Sequence, residues 1–364
     1  MRIGLELSSV CQPRPTGCAR YSTRLADALA ALRAAGETTH DLVLLYRLSR
    51  WRKRRWCHRP PGLPVRWHQE GLWPPRPPAD LVHGTDVRVP AWRRAARVAT
   101  IHDVFSLVGG DWFPPDYRER KVALYRRAAR LCHRLIAVSE ATKRDFLAHV
   151  DAPPERIRVV AEGVDPAFAP AGEAAVAALA RRRGLPARYL LYLGSIDRRK
   201  NVGRLVAAYA ASRARGTLPL VLAGGPGFGH EAIRAGAERL GLARDLVWLG
   251  YVDDAELPAL YSGAAAFLFP TLYEGFGLPI LEAMACGAPV LAADRGAAPE
   301  TAGGHAVLAD PEDEAALAAG IEAVLGRDDA AREAARAHAA RFTWEACARG
   351  TLAVYEEALG AAGA

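Results

Sequence analysis

Short apolar runs alternate along this chain with longer stretches whose apolar residues recur at helical spacing, and this alternation predicts the architecture. In the first half, short runs fit buried strands at residues 2–7, 42–46, 80–83, 97–101, 134–138 and 157–160. Amphipathic stretches fit helices at residues 20–33, 116–131 and 140–149, with Ser139 as the N-cap of the last one. Strands and helices in alternation predict an α/β fold with a doubly wound parallel sheet.

The same alternation occurs a second time further along the chain. It weakens after residue 166 and resumes at the apolar run 189–194, so we place a linker between domains in this region. Later runs fit strands at residues 218–223, 246–249, 265–269, 289–292 and 306–308. The pattern therefore predicts two α/β domains, which suits a length of 364 residues.

Composition narrows the class of protein but not its partner. Hydrophobic residues make up 51% and charged residues 24%, as in globular proteins, which excludes a disordered or fibrous chain. The formal net charge of +8 suits a polyanion, an anionic membrane or a phosphorylated substrate equally well. The six cysteines are scattered without the spacing of a zinc site, and we expect them to be reduced thiols.

The chain lacks the apolar patterns of a secreted or membrane-spanning protein. Its first residues include Glu6 and no secretory signal, and no window reaches the ~18 to 20 apolar residues of a membrane span. We expect a cytoplasmic protein whose membrane contact, if any, is peripheral at the inner face of the cell membrane. The segment between Arg47 and Arg59, with Trp51 and Trp56, fits a contact with anionic membrane or lipid acceptor and a solvated loop equally well. Nucleic acid is not expected, since no nucleic-acid-binding motif accompanies this segment.

The most informative segment is residues 270–287, which read PTLYEGFGLPILEAMACG. Glu274 falls in a loop at the carboxyl end of the predicted strand 265–269, the edge where open α/β sheets bind ligands. Pro279 fits the first turn of the following helix, where its missing N–H costs nothing. Glu282 is expected in that first turn as well.

This segment has the parts that a nucleotide sugar requires. Gly275 and Gly277 allow close approach of the backbone, and with the helix N-terminus they predict a phosphate site. Carboxylates beside a phosphate repel it, so Glu274 and Glu282 make sense as acceptors for sugar and ribose hydroxyl groups. A glycosidase pair is disfavoured because the two glutamates lie eight residues apart on different elements. Taken singly, each glutamate also fits a solvated loop position or a first-turn position favoured by the helix dipole.

The segment resembles the E-x7-E signature of family 4 glycosyltransferases, and the resemblance extends over nearly the whole chain. It implies the GT-B fold, two Rossmann-like doubly wound domains facing across a cleft, and transfer with retention of anomeric configuration. It also implies that Glu274 contacts hydroxyl groups of the donor sugar and Glu282 the nucleotide ribose. The backbone amides that it assigns to the sugar and diphosphate are those of Gly275, Phe276, Gly277 and Leu278.

A cationic run follows the first strand of the second half. Arg199 and Lys200 lie where positive charge would neutralise a diphosphate leaving group. An Arg-Arg-Lys run is also common as plain surface charge, but its place at the end of a strand favours function. The run resembles the family's Arg-Lys diphosphate clamp, with Ser195 at the place where some members carry a further Arg.

Three further positions match the family's pattern. His102, at the end of the predicted strand 97–101, resembles the histidine that contacts the donor sugar near the reaction centre, although a His beside an Asp is usually a structural hydrogen bonder. Asp103 is expected to orient it or to bind acceptor. The loop before the first helix resembles the family's Gly-rich loop and places Gly17 over the diphosphate, with Ala19 replacing a second glycine. Backbone near Val252 is expected to border the base.

The resemblance also implies the division of labour along the chain. Residues 1–168 form the acceptor-binding domain, residues 169–342 the nucleotide-sugar-binding domain, and residues 343–364 a helix that crosses back to the first. The best match is transfer of mannose from GDP-mannose to a glycan or lipid-linked acceptor, with UDP-glucose and UDP-N-acetylglucosamine left open as donors. No metal and no other cofactor is expected, because the chain lacks an Asp-x-Asp metal motif.

Two other functions fit the same residues. A sugar-nucleotide epimerase of this fold would convert the donor without an acceptor, and a noncatalytic nucleotide-sugar-binding subunit would bind the donor without turnover. A dinucleotide dehydrogenase is disfavoured because no G-x-G-x-x-G follows the first strand.

Overall fold

The structure, a computed structural model, describes residues 1–13, 17–70, 77–109, 112–113 and 115–363. The chain divides into two compact units. Unit 1 comprises Met1–Val108, Pro114–Gly163 and Thr343–Ala364, and unit 2 comprises Gly109–Phe113 and Val164–Phe342. Each unit is built around one parallel sheet with helices.

Across the described residues of unit 1, seven parallel strands form one sheet in the order β3-β2-β1-β4-β5-β6-β7. They are β1 (Arg2–Glu6), β2 (Asp41–Arg47), β3 (Val65–His68), β4 (Leu81–Gly84), β5 (Ala96–Ile101), β6 (Arg134–Ala137) and β7 (Ile157–Val159). The central strands are buried on both faces, which explains their continuous apolar runs.

The helices of unit 1 follow its strands in the predicted alternation. They are α1 (Gly17–Ala34), α2 (Phe105–Val108), α3 (Pro115–Leu131) and α4 (Glu140–His149), with 3₁₀ segments at Ser8–Val10 and Leu48–Trp56. The predicted cap of α4 is confirmed, since the Ser139 hydroxyl accepts a 2.9 Å hydrogen bond from the Thr142 amide.

In the part of unit 2 that the structure describes, six parallel strands form a second sheet in the order β10-β9-β8-β11-β12-β13. They are β8 (Tyr189–Leu193), β9 (Leu220–Ala223), β10 (Leu246–Gly250), β11 (Ala264–Phe269), β12 (Val290–Ala293) and β13 (Val307–Ala309). The helices are α5 (Glu173–Arg183), α6 (Val202–Ala211), α7 (His230–Arg239), α8 (Leu257–Ser262), α9 (Leu278–Ala285), α10 (Ala298–Ala302), α11 (Glu314–Leu325) and α12 (Asp329–Ala339).

The last helix, α13 (Trp344–Gly363), belongs to unit 1. It packs against α1 and β5, and its buried side chains include Trp344 and Tyr355. The Tyr355 hydroxyl lies 2.7 Å from Nδ1 of His83 on β4, inside the core. The helix is therefore an integral part of the core of unit 1. Among the helices of the described chain, none is both long and apolar enough to cross a bilayer.

Some elements differ from the sequence prediction. The boundary between units falls between Gly163 and Val164, five residues before the predicted one, and the predicted linker contains α5. The sequence does not predict that helix because it buries only Leu179 among its described residues, so its apolar periodicity is weak. Strand β3 is an edge strand that buries only His68 and likewise lacks an apolar run.

The order of the strands fixes where each unit can bind a ligand. In unit 1 the strand order reverses between β1 and β4, and in unit 2 it reverses between β8 and β11. Loops that leave two such strands diverge to opposite faces of the sheet and open a crevice at the carboxyl ends. The loops that follow β8 and β11 hold most of the predicted donor residues.

Candidate functional site

Arg199, Lys200 and Glu274 come together at the switch point of unit 2. The two cations follow β8 and the carboxylate follows β11, its neighbour in the sheet. Glu274 Oε1 accepts hydrogen bonds from Arg199 Nη1 at 2.9 Å and from Lys200 Nζ at 2.5 Å. Arg199 Nη1 also donates to the Tyr273 carbonyl at 2.9 Å. The sequence placed each side chain at a carboxyl end, and the structure joins them into one cluster.

The loop that carries the two cations is held by hydrogen bonds of its side chains, both within the loop and to the loop after β11. Asp197 accepts from the Ser195 hydroxyl at 2.6 Å and from the Lys200 amide at 2.8 Å. Asn201 has a positive φ of 60° and donates from Nδ2 to the Pro270 carbonyl at 3.0 Å, which ties this loop to the start of the loop after β11. The backbone thus positions the cations before any ligand binds.

The cluster joins two basic side chains to one carboxylate, and the carboxylate of Asp197 lies beside it. Burial alone would raise the pKa of Glu274, but the charges of Lys200 and Arg199 hold that pKa below its ordinary value. Glu274 is therefore an ionised hydrogen-bond acceptor at neutral pH. The Lys200 ammonium also lies 5.2 Å from the centre of the Phe269 ring.

The loop from Gly275 to Leu278 leads directly into α9. Gly277 has a φ of 102°, a left-handed conformation that favours glycine, and it precedes the first residue of the helix. The predicted place of Pro279 in the first turn is confirmed. Phe276 is buried, and its carbonyl accepts a 2.5 Å hydrogen bond from the Thr301 hydroxyl. The positive end of a helix thus lies next in the chain to the Glu274 loop, as a phosphate site requires.

The prediction for Glu282 was wrong in its position. The helix begins at Leu278, so Glu282 lies just beyond the predicted first turn. Its side chain is 2% exposed, and its Oε2 accepts from the Tyr261 hydroxyl at 3.1 Å. A buried carboxylate with a tyrosine donor is preorganised to accept hydrogen bonds, and its assignment to the ribose stays a prediction.

Val252 lies just beyond β10 and is buried at 5% exposure. Gly250, which ends that strand, has a φ of 72°, and its carbonyl accepts a 2.7 Å hydrogen bond from the Gly224 amide. The backbone near Val252 therefore lies at the same carboxyl edge of the sheet, and its contact with a base stays a prediction.

Unit 1 has a polar cavity of about 240 Å³ at the carboxyl ends of its strands. Asp86 contributes from the loop after β4 and Asp103 from the loop after β5, while Lys121 on α3 and Arg50 contribute positive charge. Carboxylates that accept and cations that donate hydrogen bonds are what a hydroxyl-rich ligand needs. The cavity is the candidate acceptor site of this unit.

His102 lines this cavity and is held firmly in place. Its Nε2 donates to the Thr85 carbonyl at 2.8 Å, and its Nδ1 lies 2.9 Å from Glu162 Oε1. Burial alone would lower the pKa of His102, but the hydrogen bond and charge of Glu162 outweigh burial and raise that pKa. The edge of the Tyr21 ring meets the imidazole at 4.5 Å between centroids.

These contacts correct the expected partner of the imidazole. Glu162 orients His102, whereas Asp103 accepts from the Tyr125 hydroxyl through its carbonyl at 2.9 Å. Both ring nitrogens of His102 are engaged inside the unit, so the part of the ring that it can offer a ligand is its carbon edge. Contact of His102 with the donor sugar stays a prediction.

Gly17 is the first residue of α1, and a Cβ added to it would meet no atom within 4 Å. Packing against the described residues therefore does not require glycine at this position, and its place over the diphosphate stays a prediction. Pro15 and Thr16, which precede it in the predicted Gly-rich loop, lie outside the described residues.

Sequence reasoning missed the residues that hold the predicted ones. Glu162 lies 60 positions from His102, and Asp197 lies three positions before Lys200, whose amide donates to its side chain. The available signal was position, because Glu162 follows β7 and Asp197 follows β8 at the carboxyl edges where ligand-binding loops gather.

The segment between Arg47 and Arg59 forms a 3₁₀ helix over Leu48–Trp56 with no buried residue. Trp51 is 48% exposed, and the Arg54 guanidinium lies 5.2 Å from its ring centre. The apolar indole ring of Trp51 and the positive charge of Arg54 are therefore exposed to solvent side by side.

Two family models match the chain. The model described as Glycosyltransferase Family 4 matches residues 15–168, and the model described as Glycosyl transferases group 1 matches residues 181–341. The first match falls largely in unit 1 and the second wholly in unit 2.

Relatives and solved structures agree with these matches. O-antigen chain mannosyltransferase B of Escherichia coli is 32% identical over 286 residues, which cover 76% of this chain and 74% of that protein. Serotype-specific mannosyltransferase WbdA of Escherichia coli is 32% identical over 262 residues, which cover 68% of this chain and 32% of that protein. The crystal structure of Anabaena Alr3699/HepE in complex with UDP and glucose has a TM-score of 0.75 at 19% identity, covering 98% of this chain and 99% of that one. The predicted fold class, GT-B with two Rossmann-like domains, is confirmed.

Proposed function

We propose, because the chain belongs to the group 1, family 4 glycosyltransferases, that it transfers mannose from GDP-mannose to a hydroxyl group of a glycan or lipid-linked acceptor. The transfer retains the anomeric configuration and needs no metal ion. The nucleotide sugar binds to unit 2 and the acceptor to the polar cavity of unit 1.

The observation that carries this proposal is the cluster of Arg199, Lys200 and Glu274 beside the N-terminus of α9. A diphosphate leaving group gains negative charge as the glycosidic bond breaks, and two fixed cations with a helix dipole stabilise that charge. Glu274 accepts hydrogen bonds from the sugar hydroxyl groups. The acceptor attacks from the side of the leaving group, and a diphosphate oxygen takes its proton, as the family resemblance implies.

The acceptor side of the proposal rests on the cavity of unit 1. Asp86 is held by its neighbour Arg88, which donates from Nε at 2.9 Å, so its carboxylate is fixed in direction. The Tyr125 hydroxyl donates to the Asp103 carbonyl at 2.9 Å and more weakly to its carboxylate Oδ1 at 3.4 Å. Such a set of oriented carboxylates with nearby cations suits a polyol whose hydroxyl groups both donate and accept.

The choice of mannose is supported by the names of the two Escherichia coli relatives, which are mannosyltransferases. The structural neighbour is a complex with UDP and glucose, so the base and the sugar both need a direct test. Purified protein should be incubated with GDP-mannose, UDP-glucose or UDP-N-acetylglucosamine, with and without a mannose-terminated acceptor, in the presence of EDTA. Release of GDP that depends on the acceptor supports the proposal, and NMR of the product gives its anomeric configuration.

Each alternative gives a different result in the same assay. Conversion of the donor without acceptor would identify an epimerase, and binding without turnover would identify a noncatalytic subunit.

Arg199→Ala and Lys200→Ala should each reduce kcat/KM by about 100-fold, the effect of removing one preorganised charge donor. Arg198→Ala is the matched control, because Arg198 belongs to the same cationic run but stacks on Phe228 at 5.4 Å. It should retain activity within about twofold.

We also propose that the exposed Arg and Trp segment of unit 1 binds an anionic bilayer, which would place the enzyme at the cytoplasmic face of a membrane. Each surface cation contributes about 1 kcal/mol to such binding. Arg52→Ser with Lys53→Ser should therefore weaken co-sedimentation with phosphatidylglycerol vesicles by about 30-fold. The control pair, Arg181→Ser with Arg213→Ser in unit 2, removes equal charge and should have no such effect. Equal binding by both double variants would contradict this contact.

A further inference from the structure

Cys11 and Cys57 lie in contact although they are 46 positions apart in the chain. Their sulfur atoms are 2.8 Å apart, and both are free thiols. A disulfide bond joins sulfurs at about 2.05 Å, so an approach of about 0.75 Å would suffice to form one. Cys11 is buried at 1% exposure, whereas Cys57 is only partly buried and reachable from solvent.

The two thiols join two segments that line the cavity of unit 1. Cys11 ends the 3₁₀ segment Ser8–Val10, and the residues on its two sides that line the cavity are Ser9 and Gln12. Cys57 ends the 3₁₀ segment Leu48–Trp56, which supplies Arg50 to the same cavity. A covalent bond between the thiols would fix these two parts of the cavity wall to each other.

We propose that Cys11 and Cys57 are a redox-active dithiol whose oxidation to a disulfide controls the acceptor cavity. The oxidant is a low-molecular-weight disulfide such as oxidised glutathione. The Cys57 thiolate attacks one of its sulfurs and expels one glutathione thiolate, which leaves a mixed disulfide on the protein. The Cys11 thiolate then attacks the Cys57 sulfur and expels the second glutathione. Two protein thiols are oxidised, one glutathione disulfide is reduced, and the two protons pass to the two released glutathiones.

Burial, together with the contact between the two thiols, holds the pKa of Cys11 well above its ordinary value, and burial holds the pKa of Cys57 above its own. The guanidinium groups of Arg50, near Cys11, and Arg59, near Cys57, offset only part of this increase. The exchange is therefore slow at neutral pH and faster in mild alkali.

The effect on transfer rests on the proposed function, since it concerns the acceptor. Fixing both wall segments prevents the cavity from adjusting around a bound acceptor. Oxidation should therefore raise the KM for acceptor by about threefold or more and leave the KM for donor within about twofold.

The disulfide itself is tested without any substrate. The full-length protein is treated with oxidised glutathione at about pH 8.5, alkylated, digested and analysed by mass spectrometry. The expected product is a peptide pair linked through Cys11 and Cys57 that dithiothreitol removes. Cys57→Ser should abolish that product, and Cys132→Ala, which removes a buried thiol after α3, should not. The wild-type result alone decides the question if a variant fails to fold.

Outcomes of the two measurements separate the two proposals. A folded protein that yields no Cys11–Cys57 peptide under these conditions overturns the redox pair. A linked peptide with an unchanged acceptor KM overturns the control of the cavity. Loss of all transfer activity in both redox forms contradicts the proposed function and leaves the linked peptide as a separate result.

Discussion

Replacing Glu274 with glutamine should weaken sugar transfer and at the same time tighten the binding of free nucleoside diphosphate. Glu274 Oε1 lies 2.9 Å from Arg199 and 2.5 Å from Lys200, and the three side chains are 12% to 18% exposed. At an effective dielectric constant of about 20, each contact is a gross attraction of about 6 kcal/mol, most of which desolvation offsets. Glutamine keeps the shape of the side chain and removes the charge that the two cations now share.

The size of the effect follows from the burial of this cluster. Removing one member of a buried ion pair typically costs about 3 to 5 kcal/mol, and the partial exposure of these groups places the cost near the lower end. A diphosphate brings negative charge to the same two cations and recovers part of that loss. We expect a recovery of about 1.4 kcal/mol, which is tenfold tighter binding. The missing charged hydrogen bond to the sugar, worth about 1.5 to 3 kcal/mol, should lower kcat/KM by about 10- to 100-fold.

Isothermal titration with GDP and with UDP gives the affinity, and steady-state kinetics give kcat/KM. Glu322→Gln is the matched control, because Glu322 forms an ion pair with the exposed side chain of Arg213 in the same unit. It should change neither quantity. If Glu274→Gln binds the diphosphate more weakly than wild type and transfers sugar normally, the carboxylate neither offsets the cations nor contacts the donor, and the reasoning above is refuted.

Three further predictions follow from other contacts. Glu162→Gln should lower the pKa of His102, which NMR titration measures. Because Glu162 raises this pKa in the folded state, the stabilisation is fully present below about pH 6.5 and is lost as the pH rises through the folded-state pKa. The variant should therefore lose most stability in mild acid and little in alkali. Glu256→Gln should lower the free energy of unfolding in urea by about 1 kcal/mol at neutral pH, because the Arg183 hydrogen bond lowers the pKa of Glu256 to about 2. This stabilisation is present above about pH 4.5 and is lost as the pH falls towards 2, where the variant should match wild type. Gly277→Ala should lower the free energy of unfolding by about 1 kcal/mol or more, since alanine is strained at a φ of 102°, and it should weaken donor binding. Equal unfolding midpoints for the variant and wild type would show that alanine is not strained at this position.

The sequence predicts the layers of this fold well because its central strands are buried on both faces. Each of them appears as an apolar run that can be recognised without its neighbours. Two of the elements it misses, β3 and α5, bury one described residue each, so they leave almost no periodic signal. Their structure depends on the surface they pack against, which a local pattern does not contain.

For the candidate site, the sequence predicts positions better than partnerships. It places Arg199 and Glu274 at the carboxyl ends of two strands, but their contact depends on β8 and β11 being neighbours in the sheet. The same limit explains Glu162, whose contact with His102 crosses 60 residues and two strands of the sheet. Glu282 lies just beyond the predicted first turn because the residue at which a helix starts depends on the conformation of Gly277.

The position of α13 has a consequence for the order in which this protein is made. Apart from Gly109–Phe113, unit 2 is one continuous stretch, whereas unit 1 needs the segment from Thr343 onward to complete its core. A ribosome therefore releases all of unit 2 before the Tyr355 side chain can reach His83. Until then the nascent unit 1 exposes the apolar surfaces of α1 and β5 that α13 covers.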